Sequence, residues 1–233
     1  MEFQRIDDIQ ASTVKVSSDA GEGSGVLLGK SGHVATCAHV VGENKKGEIL
    51  WFGAPDLNTA YQVEAIDEEW DVAVLRTDPN LFEQLNGTVK VNPLTFVTTR
   101  GEIKAGMVIG ICGYPWVTGL REKPDISRHP PSITLGIVSL WRGELSETIM
   151  LGANLHQGNS GGPVFNEFGL VLGLASQSTV YKKEEIGSVL SMGLPLGYGE
   201  MVPMQLVNIL IVRERLKVEW TPTSRIGSHF SKS

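Results

Sequence analysis

Three short runs carry residues that can do chemistry together: ATCAHVV at 35–41, DVAVLR at 71–76 and QGNSGGPVF at 157–165. A serine hydroxyl is a poor nucleophile at neutral pH. Hydrolysis by serine needs a neighbouring base, and that base needs an anionic partner to set its tautomer and stabilise its charged form. Ser160, His39 and Asp71 can fill these roles, with Asp67, Glu68 and Glu69 as rival acids. The three lie 32 and 89 residues apart, so only the fold can bring them together.

The run G-N-S-G-G-P is the most specific of the three. Gly158, Gly161 and Gly162 let the backbone curl, so that the N–H groups of Gly158 and Ser160 can converge on one point. Such a point is an oxyanion hole, where losing one donor costs roughly 10²- to 10³-fold in rate. A plain glycine-rich turn with an exposed serine has the same composition. The G-x-S-x-G elbow also fits residues 158–162, but it requires a following helix with the acid and histidine downstream. Pro163 and β-type residues follow Ser160 instead, and the one later histidine is His229 in the polar tail.

Other chemistries find less support. The five histidines are scattered without paired Cys, Asp or Glu at zinc-like spacing, so neither a metal nor a cofactor is expected. Cys37 reads as a small apolar neighbour of His39. With only two cysteines there is no disulfide scaffold, and reduced thiols suit a cytosolic chain. The net charge of −6 comes without a dense Lys/Arg run, because Lys182-Lys183 is followed at once by Glu184-Glu185; nucleic acid is therefore not an expected partner. The first twenty residues lack a basic start and an apolar run, and no later apolar stretch reaches the ~20 residues of a membrane span. The expectation is a cytoplasmic chain with no membrane partner.

The elements that must position these groups are short β-type runs punctuated by Gly, Pro, Asn and Ser. Strands are expected at 12–18, 25–29, 33–40, 61–67, 71–76, 107–113, 133–141, 147–151 and 169–176, paired antiparallel in a sandwich or barrel. A helix is expected only near the end, over 203–216, where Leu206, Ile209 and Leu210 precede Arg213 and Arg215. Residues 78–102 read as a connector, and 221–233 as a disordered tail.

The order His, Asp, Ser resembles the chymotrypsin-like peptidases, and most of all the HtrA or Deg proteases. The similarity runs from about Val14 to Leu216 through GSGVLLGKSGHVATCAHVV, GEIKAGMVIGICGYP, ITLGIVS and GEMVPMQLVNIL. It implies an all-β fold of two six-stranded antiparallel β-barrels with a C-terminal helix. The N-terminal barrel would cover about 8–90 and the C-terminal barrel about 103–203, in one peptidase domain over 1–220. Asp71 is preferred as the acid because VAVLR follows it as in the family, while Glu68-Glu69 reads as a solvated turn. The implied activity is a serine endopeptidase acting on polypeptides through an acyl-enzyme. A non-catalytic module with the same fold and an acyl hydrolase or esterase are the alternatives.

The family's primary pocket is formed by the segment before the nucleophile and the strand after it, which here means Asn154 and Leu155 with Leu174, Ala175 and Ser176. Neither segment contains a carboxylate, so small aliphatic side chains are expected on the acyl side of the cut. Two places depart from the family pattern: Gly152 stands where an Asp is usual, and His156-Gln157 where Asn-Pro is usual. His156 reads as a loop histidine with a structural hydrogen bond. No peptide-binding PDZ module is expected, so recognition would fall to loops, a regulatory protein or a homo-oligomer of the trimeric kind seen among relatives.

Overall fold

The computed structural model describes residues 2–43, 45–115, 129–141, 149–178 and 199–223. A short helix α1 (Ile6–Ser12) leads into β1 (Thr13–Ser18), β2 (Gly21–Leu28) and β3 (His33–Thr36). After one turn of helix, α2 (Ala38–Val41), come β4 (Lys46–Trp51), β5 (Ala54–Asp67) and β6 (Val72–Arg76). These six strands close into an antiparallel barrel in the order β1-β2-β3-β6-β5-β4, with β4 returning to β1. Both β3 and the VAVL of β6 are buried throughout instead of alternating: the helix Met204–Arg213 packs on β6, and His33 of β3 is held by Ser31, Glu64 and Arg76.

The chain continues through α3 (Leu81–Thr88) and β7 (Thr95–Phe96) to β8 (Val108–Gly113), β9 (Ser132–Trp141), β10 (Ile149–Gly152), β11 (Pro163–Asn166), β12 (Leu170–Ser178) and β13 (Gly199–Pro203). It ends in α4 (Met204–Arg213) and β14 (Thr221–Pro222). Strand β11 pairs with both β8 and β12, closing a second antiparallel six-stranded barrel, β8-β9-β10-β13-β12-β11. The double barrel with its C-terminal helix is the fold expected above.

Helix α4 buries Met204, Val207, Leu210 and Ile211, a helical spacing that aims one face at the junction of the barrels. These side chains share a hydrophobic cluster with first-barrel residues and with Phe165, Val171 and Leu174 of the second. Each such buried side chain stabilises the docking by roughly 1.5–3 kcal/mol.

Several local expectations are corrected. Helices form at α1, α2 and α3 as well as at the C-terminus; each is too short to show a 3.6-residue period, and α1 and α3 are held by the burial of Ile9, Leu81 and Leu85. The strand expected at 33–40 stops at Thr36, where Cys37 in extended conformation starts α2. The supposed connector holds α3 and β7. Strand β7 adds in parallel to β12 and to β14, so Thr221 and Pro222 belong to a sheet and not to a disordered tail. Residues 224–233, including His229, lie outside the described residues, as do Lys182, Lys183, Glu184 and Glu185.

Candidate active site

The β5–β6 hairpin turns through residues 68–71 and leaves Asp71 in the left-handed region at φ 54°, a conformation that Asp tolerates better than most side chains. This points its carboxylate across to α2. His39 Nδ1 lies 2.9 Å from both Asp71 oxygens, and the His39 backbone N–H donates to Oδ1 at 3.1 Å. Of the rival acids, Asp67 is engaged elsewhere, accepting from Trp70 N at 3.0 Å and from Arg213 at 2.8 Å. Glu68 and Glu69 are exposed.

From the second barrel, the Ser176 hydroxyl donates to Asp71 Oδ2 at 2.7 Å, and the Ser176 carbonyl accepts from Ser160 Oγ at 2.8 Å. Ser160, Ser176, Asp71 and His39 thus form one hydrogen-bonded chain across the barrel junction. The serine hydroxyl rests on Ser176 and not on His39. Burial raises the Asp71 pKa, but hydrogen bonds and charge from His39 with the Ser176 hydroxyl outweigh it and hold the carboxyl below its ordinary value.

The turn carrying Ser160 is clamped by Ser24 of β2. Ser24 N donates to the Ser160 carbonyl at 2.8 Å, and its hydroxyl donates to the Gly158 carbonyl at 2.7 Å while accepting from Tyr114 N at 2.9 Å. Gly161 has φ 85°, and an added Cβ there would fall 2.1 Å from the Ser24 carbonyl, so the turn admits no side chain at that position. Gly158, at φ 96°, and Ser160 have no backbone hydrogen bond from their N–H groups among the described residues. These are the two donors expected at an oxyanion hole.

The expected pocket residues separate. Asn154 is exposed, whereas Leu155 is 3% exposed within the second barrel's cluster and Leu174 and Ala175 are fully buried. The Ala175 carbonyl accepts from Gly161 N at 2.6 Å. The expectation that Leu155 and Leu174 line an open pocket is therefore corrected: both are core side chains, since the pleat of β12 turns Leu174 inward. Gly152 ends β10, and His156 is exposed, its carbonyl accepting from Asn159 N at 3.0 Å.

Two features were not read from sequence. Ser24 sits between glycines in an otherwise ordinary strand start, and the hydroxyl of Ser176 gives no local signal of its reach to Asp71. Cys37, read from sequence as an apolar neighbour of His39, places its Sγ together with an imidazole nitrogen of His39 and an Asp71 oxygen, all within 4.8 Å of one another. Its thiol donates to the Ala175 carbonyl at 3.3 Å, and burial, followed by the nearby Asp71, pushes its pKa well up.

The family model for the trypsin-like peptidase domain matches residues 23–174. Among curated proteins, the chain is 25% identical over 224 residues to Protease Do-like 1, chloroplastic, of Arabidopsis thaliana, covering 88% of this chain and 44% of that protein. It is 30% identical over 195 residues to a probable periplasmic serine endoprotease DegP-like of Halomonas elongata, covering 80% and 35%. It thus spans less than half the length of these relatives. The solved structure of the serine endoprotease from Yersinia pestis matches with TM-score 0.63 at 21% identity, over 90% of this chain and 64% of that one, a likeness of fold. Among the described residues, no helix is long and apolar enough to cross a membrane.

Proposed function

The chain belongs to the trypsin-like peptidase family and is similar to its HtrA/Deg protease domains, and on that premise we propose that it is a serine endopeptidase with His39, Asp71 and Ser160 as its triad. The observation that carries the reading is the hydrogen-bonded chain from Ser160 through Ser176 and Asp71 to His39, beside two amides that donate no backbone hydrogen bond among the described residues. Asp71 holds the proton on His39 Nδ1, which leaves Nε2 as the base. When a peptide occupies the cleft, the Ser160 hydroxyl leaves the Ser176 carbonyl, gives its proton to Nε2 and attacks the scissile carbonyl. The Gly158 and Ser160 amides receive the oxyanion. His39 then protonates the leaving amine, and water repeats the sequence on the acyl-enzyme.

The substrate is a polypeptide, with small or medium aliphatic residues on the acyl side of the cut. By the family's pattern the backbone of 152–155 and 174–176 frames the primary pocket even though Leu155 and Leu174 turn into the core, and neither segment carries a carboxylate to receive Lys or Arg. Cytoplasmic location belongs to the same reading, supported by two free cysteines. Incubation with casein followed by mass spectrometry of the fragments tests activity and preference together. Cuts after Val, Ala or Leu are expected. Cuts mainly after Arg or Lys would overturn the specificity, and intact casein would overturn the activity.

A further inference from the structure

We propose that Cys37, His39 and Asp71 form an inhibitory site for a thiophilic divalent cation, zinc above all, which shuts the peptidase by seizing the orienting side of His39. The inference rests on His39 being the base. Its ground is geometric: one sulfur, one imidazole nitrogen and one carboxylate oxygen lie within 4.8 Å of one another. A tetrahedral zinc ion with bonds of about 2.0–2.3 Å needs such ligand atoms roughly 3.4–3.6 Å apart. The Nδ1 to oxygen separation is already 2.9 Å, so small side-chain movements suffice. Sulfur, nitrogen and oxygen together suit zinc and do not suit magnesium or calcium, which take oxygen ligands.

The surroundings permit entry and closure. Cys37 is fully buried, but the His39 and Asp71 side chains are 37% and 22% exposed, so two of the three ligands are reached from solvent. Asp71 is already fixed by the Ser176 hydroxyl and by the His39 backbone N–H, each on a different oxygen, and a carboxylate oxygen so bonded keeps a second lone pair for a metal. Three protein ligands leave a fourth position for water.

Inhibition follows from proton accounting. The thiol gives up its proton to solvent on binding, as a coordinating cysteine must. With the cation on Nδ1, the neutral ring carries its proton on Nε2. The nitrogen that should accept the Ser160 proton becomes a donor, so the nucleophile has no base. The ion therefore acts on the tautomer without touching Ser160 or the oxyanion donors.

The test uses the full chain after chelator treatment. Micromolar Zn²⁺ is expected to lower casein hydrolysis more than tenfold, reversibly with chelator, while Cys37→Ala, compared with its own metal-free rate, needs at least tenfold more zinc for the same loss. In the Ser160→Ala background, Co²⁺ is expected to produce a near-ultraviolet thiolate-to-cobalt band that Cys37→Ala removes, a readout independent of turnover. Equal zinc sensitivity of the wild type and Cys37→Ala, or bound cobalt without a thiolate band, would overturn the proposal. Failure of the endopeptidase reading is distinguishable, since the metal-free wild type would then neither cut casein nor react with a fluorophosphonate, whatever the cobalt spectrum.

Discussion

The first barrel holds two histidines that each contact a carboxylate, and the contrast between them shows what makes one of them a candidate catalyst. His33 has Ser31 Oγ 2.7 Å from Nδ1 and Glu64 Oε2 2.7 Å from Nε2, with an Arg76 nitrogen 3.2 Å away. By residue type this is also Ser, His and acid. Its polarity, however, is reversed: the acid sits on Nε2 and the serine on Nδ1, so both ring nitrogens are committed. The ring is fully buried, and the Ser31 hydroxyl is engaged by Glu219 N at 3.0 Å, tying the C-terminal segment to the barrel. His39 instead places its acid on Nδ1 and has no hydrogen bond on Nε2 among the described residues. A triad is a set of directions and not a composition.

The largest expected effect of breaking this contrast is at the nucleophiles. Ser160→Ala should lower peptide turnover about 10⁶-fold while Ser31→Ala leaves it within a few-fold, since both ring nitrogens of His33, which Ser31 contacts, are already committed. Steady-state hydrolysis of a fluorogenic peptide by the two purified variants checks this, and comparable losses would erase the distinction.

The acids come next. Asp71→Asn should keep the geometry but admit the wrong His39 tautomer, costing about 10⁴-fold in turnover, whereas Glu64→Gln should act on stability alone. A 10⁴-fold loss in Asp67→Asn, with Asp71→Asn active, would move the role to the wrong side of the hairpin.

The smallest effect separates the histidines by pH. Burial lowers the His33 pKa most; the Glu64 charge and hydrogen bond raise it, the Arg76 charge lowers it again, and the net value lies below the ordinary 6.5. The unfolded chain then binds this proton more readily than the folded one. His33 therefore leaves stability flat above pH 6.5 and erodes it as pH falls from 6.5 through the folded value. Thermal unfolding between pH 7.5 and 5.5 should show a drop of about 2–4 °C for each kcal/mol involved, and His33→Gln should flatten that slope. Equal slopes would show that His33 is not the sensitive group.

The contrast also marks how far the sequence could be read. The turn around Ser160 was legible because glycines at fixed offsets leave few backbone alternatives, and Gly161 indeed tolerates no side chain. The choice of Asp71 over Asp67 came from resemblance, since both acids border the same turn; the structure separates them through Arg213, which is 146 residues from Asp67. The role of Ser24, the reach of Ser176 to Asp71 and the closeness of the Cys37 sulfur to that carboxylate were not legible, because they are contacts between segments distant in sequence, which no local pattern encodes. Leu174 was misplaced because an apolar strand buried on both faces has no alternation to show which way a side chain points.

Ser160 alone is expected to be an activated nucleophile, with His39 as its activator. Fluorophosphonate labelling followed by peptide mapping tests it most directly, on wild type and His39→Ala. A single adduct is expected, on the peptide containing Ser160, formed rapidly in wild type and lost in His39→Ala. An adduct on Ser31 or another serine, or undiminished labelling of Ser160 without His39, would contradict it.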